Sequence, residues 1–327
     1  MIKRLQNKVA ENTILLPVLA TYTMVVWLLC GLVQNQWWEQ LACMAASVYL
    51  MVELSNANAL LRVRSRMVSG VFLVLSAMTC FLFGSLSGGI VQLCFIGTLI
   101  ILFHTYQDPQ APGWVFYGFL CMGLASLVFV HSLYFVPLLW LLMATQLQSF
   151  GMRTWVASVI GLSTPYWFLL PWVLYRQTPS LLTDHFTPLL QFPFPYDYAM
   201  LGVSRLSVFA FTTVLTLMAI LHFWYRSYED KIRIRQLYGI FTIVVLFSIV
   251  WLVLQPQHYD ALMRIIIVCA SPLIAHLFTL TNSRFSNVLF CVATAMAALL
   301  TVLSLLEPHW QTIVDTLTAL WTGLLNF

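Results

Sequence analysis

The chain has 327 residues, 61% of them hydrophobic and 8% charged, with 15 Lys and Arg against 11 Asp and Glu. A mean hydropathy of +0.88 excludes an ordinary soluble domain and describes a chain solvated mostly by lipid. The net charge of +4 sits in loops between apolar runs, so it reports membrane orientation and offers no footing for nucleic acid.

Lys3, Arg4 and Lys8 precede the first apolar run, 14–33. That run is long enough to cross a core of roughly 30 Å at about 1.5 Å per residue, and it lacks a small-x-small cleavage site. It reads as an uncleaved first helix and not as a signal peptide. A short loop, 34–40 (QNQWWEQ), carries the interfacial pair Trp37 and Trp38 beside Glu39. The second run, 41–60, ends with Glu53, Asn56 and Asn58 and is followed by Arg62, Arg64 and Arg66.

Runs at 67–86, 88–105, 114–131 and 133–149 come next. The last two form one apolar stretch, interrupted only near His131 and Ser132. Parity divides it, because the polar loop 106–113 and Arg153 share a side only if two helices intervene. Further runs at 154–175, 199–224, 237–255, 261–280 and 285–306 complete an expected single all-α transmembrane domain over 1–327. The expectation is about eleven spans (ten to twelve), with the N-terminus cytoplasmic. The uncertainty in number lies in 310–326, where Ile313, Val314, Leu317, Leu320, Trp321 and Leu324 recur at helical spacing. This segment reads either as an interfacial helix or as a short twelfth span.

With this arrangement twelve of the fifteen basic residues fall on one side, as the positive-inside rule requires. Arg176, Arg205 and Arg264 are left on or near the far side, where a basic residue needs a reason. Arg176 and Arg205 bracket a proline-rich yet apolar outer-face loop, 176–198, whose titratable groups are Asp184, His185 and Asp197. Arg205 is placed two turns inside the eighth span. Asp260 and Arg264, four apart, share a helix face. They form either a local ion pair or, with Arg205, the wall of a shared cavity. Three outward arginines have the donor geometry to hold a phosphate or pyrophosphate through paired hydrogen bonds.

Other chemistry is excluded. The seven Cys lie within apolar stretches with no C-x-x-C, so no disulfide framework is implied. The seven His lack metal-ligand spacing, and no P-loop, G-x-S-x-G or Gly-rich dinucleotide loop occurs. No cofactor and no metal are expected, and the sequence does not decide whether the chain is an enzyme.

The stretch GLASLVFVHSLYFVPLLWLLMATQL (123–147), the basic turn Arg153 to Trp155, VASVIGLSTPYWF (156–168) and the turn SNANALLRVRSR (55–66) carry a resemblance. They resemble an uncharacterised family of bacterial polytopic inner-membrane proteins, similar in length and layout across most of the chain. The resemblance implies a multi-pass protein of the bacterial inner membrane and brings no catalytic residues with it. Some proteins of similar appearance carry a carotenoid-cleaving oxygenase label, but the clustered histidines of an iron site are missing here. A fold-level similarity extends to multi-spanning glycosyltransferases and polymerases that use polyprenyl-phosphate sugars, although loop 34–40 has no Asp.

The expected partners are therefore membrane lipids and a polyprenyl-phosphate-linked substrate, handled at the outer face by Arg176, Asp184, His185, Asp197, Arg205, Asp260 and Arg264. The alternatives are a transporter or flippase with a polar path from Glu53 and Asn56 to the arginines, or a non-catalytic subunit of a membrane complex.

Overall fold

In hydrocarbon every backbone N–H and C=O must find its partner inside the protein, and apolar runs achieve this as helices. The computed structural model describes residues 4–63, 65–177, 180–191, 198 and 201–307, excluding the side chains of 181 and 182. Among these the chain is all-α. Its helices are α1 (Leu5–Glu11), α2 (Leu15–Leu29), α3 (Trp38–Asn58), α4 (Met67–Ala77), α5 (Leu86–Phe103), α6 (Pro112–Val128), α7 (Phe135–Leu142) and α8 (Met152–Tyr175). They continue with α9 (Ser180–Phe186), α10 (Val203–Arg226), α11 (Ile232–Leu254), α12 (Tyr259–Leu280) and α13 (Arg284–Leu306). The segment 310–326, Asp197, Lys3 and Arg64 lie outside the described residues.

A helix occupies each of the eleven apolar runs, but they do not all have the dimensions of a crossing. Among the described residues seven stretches are long and apolar enough: α5, Val130–Leu147, α8, Val203–Glu229, α11, Pro256–Leu280 and α13. The pair α1 and α2, bent by 92° between them, would be an eighth. The remainder fall short for visible reasons. At α4 the helix stops at Ala77, and a separate turn, Cys80–Leu82, follows. The helix α6 ends at Val128 because Phe129 is extended (φ −137°, ψ 92°), which is the division expected within 114–149. Gln40, Ser47, Glu53, Asn56 and Asn58 lower the hydropathy of α3.

The core is organised around α12, buried without interruption from Ala261 to Thr279. A helix that is apolar on all faces belongs inside, and α4, α5, α10 and α11 enclose this one. By contrast α8 and α13 present Trp167, Phe168, Leu174, Val288, Val292 and Leu299 outward, as a lipid face requires.

Polar contacts divide the loops between two ends of the bundle. At one end Arg62 Nε donates to Asp230 Oδ1 (2.7 Å) and Nη1 to Glu229 (3.0 Å), joining the segments after α3 and α10. Arg233 donates to Asn58 Oδ1 (3.1 Å) and stands over the Tyr106 ring, and Thr105 donates to Ser149 Oγ (3.1 Å). Gln6 donates to Thr281 Oγ1 (3.2 Å) and Ser286 Oγ (3.0 Å), while Ser65 donates to the Ala10 carbonyl. All the basic clusters within the described residues belong to these joined segments. At the other end Ser304 donates to the Met78 carbonyl (2.7 Å), Ser204 to Glu307, and Tyr259 to the Arg205 carbonyl (2.7 Å).

The helices α6 and α8 meet through glycines. A Cβ on Gly123 would stand 2.6 Å from the Leu162 carbonyl, and one on Gly161 would strike the Phe116 carbonyl. Small residues here let two backbones approach closely, which is how helices gain packing energy where lipid supplies no hydrophobic drive. Gly161→Val is expected to force α6 and α8 apart and to cost about 1–3 kcal/mol, the usual range for overpacking. A thermal unfolding series in detergent measures it; an unchanged midpoint would mean the close crossing contributes nothing.

Candidate functional site

The polar end opposite the basic loops contains a cleft of about 220 Å³ lined in part by Ser85, Ser87, Gly88, Arg205, His258 and Asp260. Three helix starts converge on it. Ser85 caps α5, its hydroxyl accepting from Gly88 N at 3.1 Å, so the first turn of α5 faces the cleft. Arg205 is the third residue of α10, and Asp260 the second of α12. Arg205 thus lies in the first turn of its helix, at the mouth, and not two turns deep as expected, because the chain becomes helical only at Val203.

Asp260 and Arg264 do not pair with each other along their helix. Asp260 lies instead 3.3 Å from Arg205 Nη1, at ion-pair distance but without hydrogen-bond alignment. Both side chains are partly exposed (32% and 45%), so solvent screens the pair and it adds little stability. The Arg205 guanidinium also stands 5.3 Å from the Phe81 ring and 5.6 Å from the Tyr259 ring, which fixes its direction.

Arg264 goes the other way, into the bundle, and only 9% of it is exposed. Nη1 donates to Gln92 Oε1 (3.3 Å), and Nη2 to the carbonyls of Leu82 and Ser85. Its Nε has no partner. No carboxylate forms an ion pair with it among the described residues. The side chain runs directly beneath Gly88, where an added Cβ would be 2.6 Å from Nε. Glycine at 88 therefore lets the first turn of α5 sit over a buried cation.

A second polar layer flanks the cleft. The His258 ring lies 3.9 Å from that of His131, centroid to centroid. His131 Nε2 donates to the Pro188 carbonyl (3.2 Å), and Tyr134 donates to that of Leu189. His185 Nε2 donates to the Ser126 carbonyl (3.1 Å). The segment 180–190 is thereby fastened across the ends of α6 and the turn after it.

Of the expected residues, Arg205 and Asp260 line one cleft, with Arg264 behind its wall. His185 is a docking residue of the neighbouring segment, and Asp184 is exposed on it. Arg176 ends α8, exposed and stacked on Trp172 of its own helix (5.3 Å), so it does not join the other arginines. Ser85, Gly88, Gln92 and His131 are additional to that set. The run Gly84 to Gly88 signals a turn, and Ser85 followed by small residues is also a helix-start signature that would have singled it out. No group of three or more potential metal ligands occurs among the described residues.

The basic end holds a buried network that the sequence did not suggest. His276 Nε2 lies 3.0 Å from Asp230 Oδ2, each side chain 1% exposed, and Arg62 completes the carboxylate. Burial alone would raise the Asp230 pKa, but the hydrogen bonds from His276 and Arg62 outweigh it and hold the carboxyl below its usual range.

Comparison with protein-family models, with curated proteins and with solved structures returns no match. The site therefore rests on its own geometry.

Because the folded Asp230 pKa is depressed, its contribution is complete above the ordinary Asp value of about 3.9 and is lost as pH falls through the lower folded value. Unfolding followed from pH 5 downward is expected to show this loss beginning near the ordinary Asp value of about 3.9 in the wild-type chain. Asp230→Asn is expected to remove it and to cost about 1–3 kcal/mol at pH 7, because Arg62 and the buried His276 lose the charged acceptor they share.

Proposed function

We propose that the chain is an eleven-crossing membrane protein of the family it resembles. In this reading its N-terminus and basic loops face the cytoplasm of a bacterium, and its cleft binds a lipid-borne phosphate at the opposite face. The gathering of the basic clusters at one end of the bundle supports the orientation, since such clusters are retained on the cytoplasmic side. The observation that carries the ligand class is Arg264. Its guanidinium is buried without a carboxylate partner, beneath the first turn of a helix whose N-terminal dipole already favours an anion.

Charge sharpens the class. Arg205 and Asp260 balance each other at the mouth, which leaves the single charge of Arg264 uncompensated beside the cleft. One net positive charge suits a phosphodiester or phosphate monoanion better than a pyrophosphate. Binding is the whole of this reading, with no bond-making step.

The carrier alternative needs a polar route from Glu53 and Asn56 to the arginines. Both residues are exposed on α3. The polar strip that holds Arg264 and Gln92 encloses only about 20 Å³. That is room for about one water. Site binding accounts for these features more directly.

Purified protein in mild detergent, titrated with a polyprenyl phosphate and with the matching neutral alcohol, tests the reading. The phosphate is expected to bind in preference. Arg205→Gln should weaken it roughly tenfold or more, as loss of a charge-assisted contact does. Asp260→Asn should tighten it by freeing Arg205. Equal binding of phosphate and alcohol, or indifference to Arg205→Gln, would overturn the proposal.

A further inference from the structure

An apolar cavity of about 160 Å³ lies toward the basic end of the bundle, framed by α2, α4, α10, α12 and α13. Val9 of α1, the helix bent by 92° from α2, stands at its basic end. From Met67 to Leu75 of α4 the cavity has a depth of about 12 Å, at about 1.5 Å per residue. Among its described lining residues Thr294 alone carries a hydroxyl, which donates to the Phe290 carbonyl (2.9 Å). A cavity this apolar stays dry and takes up apolar molecules.

Its position decides what can enter. Leu15 and Leu19 of α2 and Phe290 and Ala293 of α13 form its outer walls. Both helices turn other residues to lipid, Val18 and Val25 from α2, Val288 and Val292 from α13. Helix α2 packs on α4 and α13 on α10. Tyr22 donates to Thr301 Oγ1 (2.9 Å) about one turn past Leu19 and Ala297, which closes the gap on the far side. Thr294 on the rim is exposed, so the cavity opens to the bilayer between α2 and α13. A helix, about 10–12 Å across, is too wide for this volume, whereas an acyl chain is not.

Charge at the same end specifies the headgroup. Arg4 and Lys8 belong to the start of the chain and α1, Arg66 directly precedes Met67 as the N-cap of α4, and Arg284 opens α13. None of the four forms an ion pair among the described residues, and Arg4 Nη1 is buried without a hydrogen-bond partner. The acid of α1, Glu11, is outnumbered by these cations. Basic residues beside membrane helices attract anionic lipid.

We infer that the cavity is a site for an anionic phospholipid of the surrounding leaflet. One acyl chain lies between α2 and α13, and the phosphate sits among Arg4, Lys8 and Arg66. The site is at the end opposite the cleft and does not depend on which side of the membrane that end faces. A bound lipid completes the packing between two helices that leave a gap, and it neutralises the cations gathered there.

The test places the protein in phosphatidylcholine nanodiscs holding a minor share of a lipid with a photoreactive diazirine in its acyl chain. Phosphatidylglycerol and phosphatidylcholine probes are compared, and crosslinked residues are mapped by mass spectrometry. The phosphatidylglycerol probe should label residues within 67–75 and 290–297. It should do so at least roughly fivefold more than the phosphatidylcholine probe, the effect of one surface cation on an anionic lipid. Arg4→Gln combined with Lys8→Gln should bring the two probes level. Ala293→Leu, which fills the cavity, should suppress labelling there by both. The charge variant leaves the cavity intact and decides the matter if Ala293→Leu does not fold. Equal labelling of the wild-type chain by the two probes, indifference to the charge variant, or crosslinks only at outward residues such as Val18 and Leu299 would overturn the inference.

Discussion

A guanidinium in the interior of an apolar bundle must be solvated by protein, and much of this molecule's outer end is arranged around that requirement. Arg264 lies on α12, the helix with no lipid face. Its charge therefore cannot reach a headgroup by snorkelling, as an arginine on a peripheral helix would. Two carbonyls of the turn between α4 and α5 and the amide of Gln92 supply the acceptors. Helix α4 has to end early to offer those carbonyls, and α5 has to carry a glycine, Gly88, in its first turn to pass over the side chain. The short α4, the turn at Cys80–Leu82 and the Ser85 cap are local consequences of one buried charge.

The opposite end solves a different problem. Its cations outnumber its acids, and repulsion among them would splay the loops. Asp230 and Glu229 are placed where they draw in Arg62 and Arg226, and His276 reaches the same carboxylate from the central helix. A buried ion network of this kind is weak evidence for stability, yet it defines geometry, since removing one partner strands the others. The neighbouring Arg233 contributes by a neutral route, bonding Asn58 and covering Tyr106. Charge that orients the chain in a membrane is thus also used to hold its loops together.

The helical segments were readable because lipid solvation leaves a strong mark: each apolar run became a helix, and the charge pattern required a division of the ambiguous run, placed near His131 and Ser132, just after the point where Phe129 ends α6. Span length was less readable. The run 67–86 is apolar throughout, but Arg264 takes carbonyls from its last five residues, and a contact across 182 residues leaves no local signal. The site was legible in part for the same reason. Arg205, Asp260 and Arg264 were anomalies of charge against topology, and such anomalies are visible in one dimension. Whether Asp260 pairs with Arg264 or Arg205 depends on how α10 and α12 pack, which spacing along a helix cannot tell. Arg176 looked equivalent to the other two until its stacking on Trp172 set it apart. Asp230 and His276, joined across 46 residues, showed no pattern at all.

The clasp of Gln6 on the turn between α12 and α13 has a consequence in time. Its acceptors, Thr281 and Ser286, are made some 275 and 280 residues after it. At a synthesis rate of about 5–20 residues per second, α1 waits on the order of tens of seconds for its docking site to exist. During that interval the α1 segment has no native partner in the α12–α13 turn, and the 92° bend that turns it away from α2 leaves it to the membrane surface. The bundle is therefore closed across a long interval of synthesis, when an early helix meets a turn made much later.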